Sequence, residues 1–482
     1  MSPFSQESTR EIARQIEAAC AAMNAPQWQD DAHRATLLDA IAHALRSREH
    51  EIISVASDES ALTPDELAPE FARMWRTLAM FAQTLRDSTS QASWRGVAIV
   101  PAEQDAAQSI GPNHDLRRMR FALPGVVAVF GASNFPLAYG MLGGDTASAL
   151  AAGCAVAVKQ HPAQPRTGTL LATLAHEALD SRGMDQRILT LIADDGTDSP
   201  RVAEALVAHR SIVGVGFTGS RIVGDRIAGL GAQRTPPIPV FAEMGSLNPI
   251  VVLPHAWHAR ADAITDSVIA SLLQRHGQQC TAPGLLLLPT RNAAQDAFAR
   301  FRAALDAAPA RRMLSDGVAT NYVRRVEEVA ALSCVLDASA WRRLDSRTTR
   351  PRVFLADGNI LPHHAAAWDE IFGPAMIISW YATPRDALTP LNGTLTATLH
   401  AEPNDDVADI LASMLARAGR VIVNGVPTGV RVCPATVHGG PWPSTNRPDF
   451  TAVGPDAMLR WTRPVTLQNW PAAWRPSQVR GT

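Results

Sequence analysis

Five short β-rich runs recur along the middle of the chain: GVVAVF (125–130), CAVAVK (154–159), RILTLI (187–192), SIVGVGF (211–217) and PVFAEM (239–244). They stand about 25–30 residues apart, with helical stretches between them. This spacing constrains the fold more than any other feature. It is that of strand–helix–strand units, and predicts a parallel, doubly wound α/β sheet over 125–245. Ligands of such sheets bind beyond the carboxyl ends of the strands. The residues just after each run are therefore the informative ones.

A second α/β series follows. Strands are predicted at PIVVL (249–253), GLLLLP (284–289), VFLA (353–356), PAMIISW (374–380) and RVIVNG (420–425), with helices at 259–275, 291–308, 321–332 and 404–418. Ahead of both series, residues 1–90 repeat apolar side chains at helical spacing, as in EIARQIEAACAAM and EFARMWRTLAMFAQTL. Residues 95–123 read as strands outside the main sheet. The C-terminal stretch is rich in Pro, Gly and Trp and ends in a strand-like tail, WTRPVTLQNW.

Composition narrows the function classes. Apolar residues make up 46% and charged residues 19%, as in a soluble globular protein. A net charge of −2 gives no basis for nucleic-acid or acidic-membrane binding. The five cysteines are scattered and never spaced C-x-x-C, which argues against a disulfide framework or a metal site and fits a reducing, cytoplasmic setting. The charged, helical N-terminus is not a signal peptide. The uncharged stretch 121–144 contains Pro124, Pro136 and several glycines, so it reads as a buried strand, a turn and a helix start rather than a membrane span.

Within this frame, several residues stand where chemistry is done. Asn134, in GASNFP after the first run, is either a helix cap or an amide donor to an oxyanion. Lys159, the only lysine in the chain, ends the second run, where a ligand's sugar or phosphate would lie. Gly214, Gly216 and Gly219 match G-x-G-x-x-G formally, but the first two lie inside a strand, so the ordinary dinucleotide fingerprint does not apply. Gly219 and Ser220 instead open a helix whose backbone N–H groups can receive phosphate. Glu243 ends a buried strand, either partnered or desolvated with a raised pKa and poised as a general base. Cys280, in GQQCTAPG between a helix and an apolar strand, is either inert filler or a nucleophile. Glu370 and Phe372 fall in a turn, EIFGP, before a later strand.

Taken in order, GASNFP, VKQHP, FTGS, FAEMGS, GQQCTAPG and EIFGP resemble the aldehyde dehydrogenase superfamily over roughly residues 120–470. GGDTASALAAGCAVAVK, PIPVFAEMGSLNP, LTATLH and VNGVPTGVRVCPATVHGGPWPST are similar to the branch holding α-ketoglutarate semialdehyde dehydrogenases and NADP-linked fatty aldehyde dehydrogenases. The resemblance implies two doubly wound Rossmann-like α/β domains plus a small β oligomerisation element. It implies a cofactor-binding domain over 1–245, a catalytic domain over 246–435, and oligomerisation or tail strands at 95–123 and 455–482.

Carried over by position, the resemblance makes Cys280 the nucleophile that forms a thiohemiacetal and then a thioester. Asn134 and the Cys280 backbone N–H would hold the oxyanion, and Glu243 would activate the hydrolytic water. Lys159 would bind the adenosine ribose, Glu370 the nicotinamide ribose with Phe372 beside it, and Gly219 and Ser220 the pyrophosphate. No metal is implied. No acid occurs in Lys159–Arg166, so a 2′-phosphate meets no repulsion there, and Arg201 or Arg166 can pair with it. The expected cofactor is NADP, with NAD as the other option. The expected substrate is a small aldehyde, foremost α-ketoglutarate semialdehyde, otherwise a medium- or long-chain aliphatic aldehyde; a non-catalytic protein of the same fold is the distant alternative. The family points to a homodimer or homotetramer. Departures are Met244, where Leu is usual, and Gln279, where an aromatic residue is common.

Overall fold

The computed structural model describes residues 6–87, 98–100, 114–340 and 344–471. The expected strand segment at 95–123 and the C-terminal tail lie partly outside these residues.

Five strands form the first sheet, in the order Leu189–Ile192, Ala155–Lys159, Val126–Phe130, Ile212–Thr218 and Val240–Glu243, all parallel. The chain enters at the middle strand, builds outward to one side, then crosses back to build the other. The order therefore reverses between Val126–Phe130 and Ile212–Thr218, and a crevice opens at that point beyond the strand ends. Register sets Lys159 level with Phe130 and Ile192, and Glu243 level with Thr218. All five residues of Val126–Phe130 are buried, as helices cover both faces of the sheet.

The second sheet has seven strands, in the order Val335–Ala338, Arg352–Ala356, Ala375–Trp380, Leu285–Leu288, Ile250–Val252, Thr394–His400 and Ala418–Val423. Only the first pair is antiparallel. Two of these strands escape the apolar pattern. Thr394–His400 (TLTATLH) is completely buried although every second residue from Thr394 is polar; Thr394 and Thr396 bond to Ser246 and Asn248, while the Thr398 hydroxyl has no partner among the described residues. Val335–Ala338 is a short edge strand without strong apolar character. A third, antiparallel sheet joins Ala98–Val100, Leu116–Ala122 and Thr462–Gln468.

The helical lead-in packs against the first sheet. Its longest member, Pro64–Arg86, starts at a capping box in which the Thr63 side chain accepts from the Glu66 N–H and Glu66 reaches back to the Thr63 N–H. Leu67, Phe71, Met74, Leu78, Phe81 and Leu85 recur every three or four residues and are buried, each contributing about 1.5–3 kcal/mol. That packing fixes the rotation of the helix. Glu70 and Arg73 are thereby carried to the loops that leave the first sheet after Val126–Phe130, and Glu70 also meets the loop that enters the second sheet before Leu285–Leu288. All five cysteines are free. Among the described residues, no helix is long and apolar enough to cross a membrane.

Candidate active site

The Cys280 loop is built on unusual backbone. Helix Pro254–Leu273 ends, and Arg275, His276 and Gly277 follow with φ of 51°, 54° and 65°. Left-handed geometry at a non-glycine residue costs about 1–3 kcal/mol. The surroundings hold it in place. Arg275 donates to Glu70 at 2.6 Å, with both side chains buried, and its guanidinium stacks 4.3 Å over the Phe135 ring. His276 Nε2 lies 3.1 Å from Thr349 Oγ1. Gly277 has no room for a side chain, because a Cβ there would lie 2.4 Å from the Gly373 carbonyl oxygen. The turn thus locks the cysteine loop onto the EIFGP loop.

Glu70 does more than pair with Arg275. It also accepts the backbone N–H groups of Leu137 at 2.7 Å and Ala138 at 3.0 Å. One buried carboxylate therefore joins the cysteine loop to the loop carrying Asn134. Asn248, itself left-handed at φ 51°, supports the other side of the cysteine by donating to the Cys280 carbonyl at 2.8 Å and the Ala282 carbonyl at 2.9 Å.

Asn134 is not a helix cap. The next helix begins only at Gly144, after a series of turns, and Gly143 is its N-cap. The Asn134 amide instead donates to the Gln278 carbonyl at 3.2 Å, two residues before the cysteine. An amide has two N–H donors, so one remains for a group bound beside the loop.

The structure brings Cys280 and Glu243 together and adds a residue that motif reading missed. Cys280 Sγ lies 3.6 Å from His438 Nε2, and His438 Nε2 lies 3.1 Å from Glu243 Oε1. The last contact is an ion-pair distance without an aligned hydrogen bond, because neither Glu243 oxygen has a well-directed donor. The only signal for His438 was its place in the VHGGPWPST stretch. Burial pushes the Cys280 thiol well up, the Glu243 charge adds to this, and the Arg73 charge opposes it.

Glu243 takes the partnered one of the two readings that its sequence left open. Burial does act to raise its pKa, but His438, the Cys280 thiol and Arg73 together outweigh it and leave the carboxyl below its ordinary value. It is therefore ionised at neutral pH and able to accept a proton without a raised pKa. The cavity in front of Cys280 has a volume of about 290 Å³; its wall includes Arg73, Phe135, Tyr139, Gln279 and His438.

A second cavity, of about 360 Å³, lies at the crevice of the first sheet. Lys159, Gly219, Ser220, Pro200, Val223 and Arg226 are on its wall. Lys159 is not free within it: its ammonium is ion-paired with buried Asp194, which also accepts from Ser199 Oγ at 2.5 Å. The Gly219 N–H is likewise taken, by the Glu243 carbonyl at 3.1 Å, so phosphate donors must come from the following helix start. Arg201 is exposed, pairs with Asp198 at 3.5 Å, and does not line the cavity although Pro200 and Ala203 do. Arg166 also points to no such role; it pairs with Asp58 at 3.4 Å on the surface. Arg226, which sequence reading did not single out, is the arginine on the wall, and it is ion-paired with Glu204.

Glu370 and Phe372 sit between the two sheets. Phe372 packs against the core of the first unit. A Cβ on Gly245 would lie 2.7 Å from Glu370 Oε2, which places this carboxyl against the segment following Glu243. Its surface is only partly covered, yet it lies deep in the cleft. Burial pushes its pKa up to about 8, against a hydrogen bond from the Ser246 backbone.

The second cavity fits a dinucleotide. It lies where the strand order reverses, a helix begins at Arg221 beside it, and among the described residues its lining carries two cations and no carboxylate. The first cavity is lined by the Cys280 thiol and the His438 imidazole; the Glu243 carboxylate stands behind His438 and the Asn134 amide on the cysteine loop, an arrangement suited to covalent acyl chemistry.

The aldehyde dehydrogenase family model matches residues 2–463. An α-ketoglutaric semialdehyde dehydrogenase of Azospirillum brasilense is 38% identical, over 97% of this chain and 88% of its own. A second protein of that name, from Acinetobacter baylyi, is 35% identical with the same coverage. The glyceraldehyde-3-phosphate dehydrogenase of Methanocaldococcus jannaschii, solved with NADP, shares the fold at a TM-score of 0.76 and 17% identity, over 97% of this chain and 95% of that one.

Proposed function

The chain belongs to the aldehyde dehydrogenase family and carries out NAD(P)-dependent aldehyde oxidation, and from that premise we propose that its substrate is α-ketoglutarate semialdehyde, its product 2-oxoglutarate, and its nucleophile Cys280. The observation that carries the nucleophile is the Cys280–His438–Glu243 cluster, whose thiol and imidazole line a cavity. The names of the two relatives and Arg73 in the wall of that cavity support the substrate.

Cys280 adds through sulfur to the aldehyde carbon, and its proton passes to the Glu243 carboxylate and from there to solvent, which restores the base for the second step. The resulting oxyanion is held by the Asn134 amide and the Cys280 N–H. NAD(P), when bound, supplies the acceptor for the hydride that leaves this carbon. Glu243 then takes a proton from water as it attacks the thioester, which frees the carboxylic acid and returns the thiol. Lys159, Ser220 and Arg226 hold the adenosine and phosphate end of the cofactor, and Glu370 with Phe372 the nicotinamide end. Residues 1–245 serve as the cofactor unit and 246–435 as the catalytic unit. The three-stranded antiparallel sheet serves assembly into a homodimer or homotetramer in the cytoplasm.

NADP is the preferred cofactor and NAD the alternative: Lys159 and Arg226 stand on the cavity wall, each ion-paired, with Asp194 and Glu204, and a 2′-phosphate would share them with those carboxylates. A panel of semialdehydes and straight-chain aldehydes, each run with NADP and NAD, tests the reading. The highest kcat/KM is expected for α-ketoglutarate semialdehyde with NADP. An optimum for long neutral aldehydes would reject the substrate, and an NAD preference unchanged in Arg226→Ala would reject the cofactor.

A further inference from the structure

An aldehyde that also bears a carboxylate needs something to hold its far end. Three arginines stand at or beside the cavity in front of Cys280. Two are already neutralised. Arg311 makes two bonds to Glu66, at 2.9 and 2.7 Å, and Arg275 is held by Glu70 at 2.6 Å.

Arg73 differs. Among the described residues it has no carboxylate within ion-pair distance. Its Nη2 donates to the Tyr139 hydroxyl at 2.9 Å, and its guanidinium lies 5.1 Å from the centre of the Tyr139 ring. It lines the same cavity as Cys280, and its charge reaches both the Cys280 thiol and the Glu243 carboxylate. A guanidinium carries five N–H donors in a planar fork matched to a carboxylate. Tyr139 occupies one of them. Of the acids around this cavity, Glu66 and Glu70 are paired, and Asp65 is exposed on the first turn of the Pro64–Arg86 helix.

We propose that Arg73 is the specificity-determining residue that receives the distal carboxylate, so that this pocket selects short aldehydes ending in a carboxylate over neutral aldehydes of equal length. The inference rests on the reading of Cys280 as the nucleophile in this cavity. Arg73 acts on the substrate rather than on the thiol.

The test compares 5-oxopentanoate with pentanal in the wild type, Arg73→Met and Arg73→Lys, with NADP binding by fluorescence as the check on folding. The wild type should favour 5-oxopentanoate in kcat/KM. Arg73→Met should lower that preference on the order of 100-fold, chiefly through KM for the acid. Arg73→Lys should restore part of it, because a point charge replaces the fork. A wild-type ratio retained in both variants would overturn the role of Arg73 and leave the proposed substrate class standing. An equal fall in kcat for both aldehydes would also overturn it, since Arg73 would then be acting on the thiol. A wild type that does not discriminate between the two compounds would reject the substrate class itself.

Discussion

Glu70→Ala should be the most damaging single change far from the reacting atoms in sequence. Glu70 is 4% exposed and accepts from Arg275, Leu137 and Ala138. Removing one partner of a buried ion pair costs about 3–5 kcal/mol, because the other charge stays buried. Each orphaned backbone N–H adds about 1–3 kcal/mol. The terms overlap, since water entering the space left by the side chain serves both. A net loss of about 4 kcal/mol is therefore expected. In urea this should lower the midpoint of the transition that reports the first sheet on the order of 1 M. Activity should fall too. The left-handed turn at Arg275 and His276 is strained, and without Glu70 it can relax and displace Cys280. A misplacement near 1 Å costs about 100-fold in rate. The double variant Glu70→Gln, Arg275→Met should be more stable than Glu70→Ala, because it leaves no charge unpaired. A Glu70→Ala protein with an unchanged urea midpoint and wild-type kcat/KM would refute this reasoning.

Two other predictions can be checked with simpler assays. Asn134→Ala should lower kcat by about 100-fold while leaving cofactor affinity near wild type, since it removes an oxyanion donor outside the cofactor cavity; equal losses in kcat and NADP binding would contradict that placement. The Cys280 thiol is pushed well above its ordinary value, chiefly by burial and next by Glu243, so in the cofactor-free protein its inactivation by iodoacetamide should rise about tenfold per pH unit through neutral pH without a plateau, whereas a plateau near pH 7 would show an already ionised thiolate.

The fold was legible in the sequence where burial is continuous. Strands such as Val126–Phe130 and Leu285–Leu288 are unbroken apolar runs at parallel-sheet spacing, and the structure places them where that pattern does. Thr394–His400 was not legible, because two of its buried threonines, Thr394 and Thr396, bond to Ser246 and Asn248, residues far away in the chain. The motif residues Cys280, Glu243 and Asn134 were ambiguous one at a time, and it is the order of the motifs that carry them along the chain that marks them. Their supports are different in kind. Glu70, Arg73, Asn248, Asp194 and His438 act through partners on other elements, and nothing in their own neighbourhoods points to those partners. The lack of an acid between Lys159 and Arg166 was read correctly, yet Asp194 folds against Lys159 from the next strand's loop. Arg201 shows the same limit from the other side: it is close to the cavity in sequence, but its side chain pairs with Asp198.

The central claim is that Cys280 carries the acyl group and Glu243 releases it. Glu243→Gln, mixed with α-ketoglutarate semialdehyde and NADP, tests both parts together. The account predicts a burst of NADPH of about one equivalent per active site, followed by slow turnover. Intact-protein mass over the same interval should show an acyl adduct that is absent from Cys280→Ala. Slow hydride transfer with no burst and no adduct would contradict it.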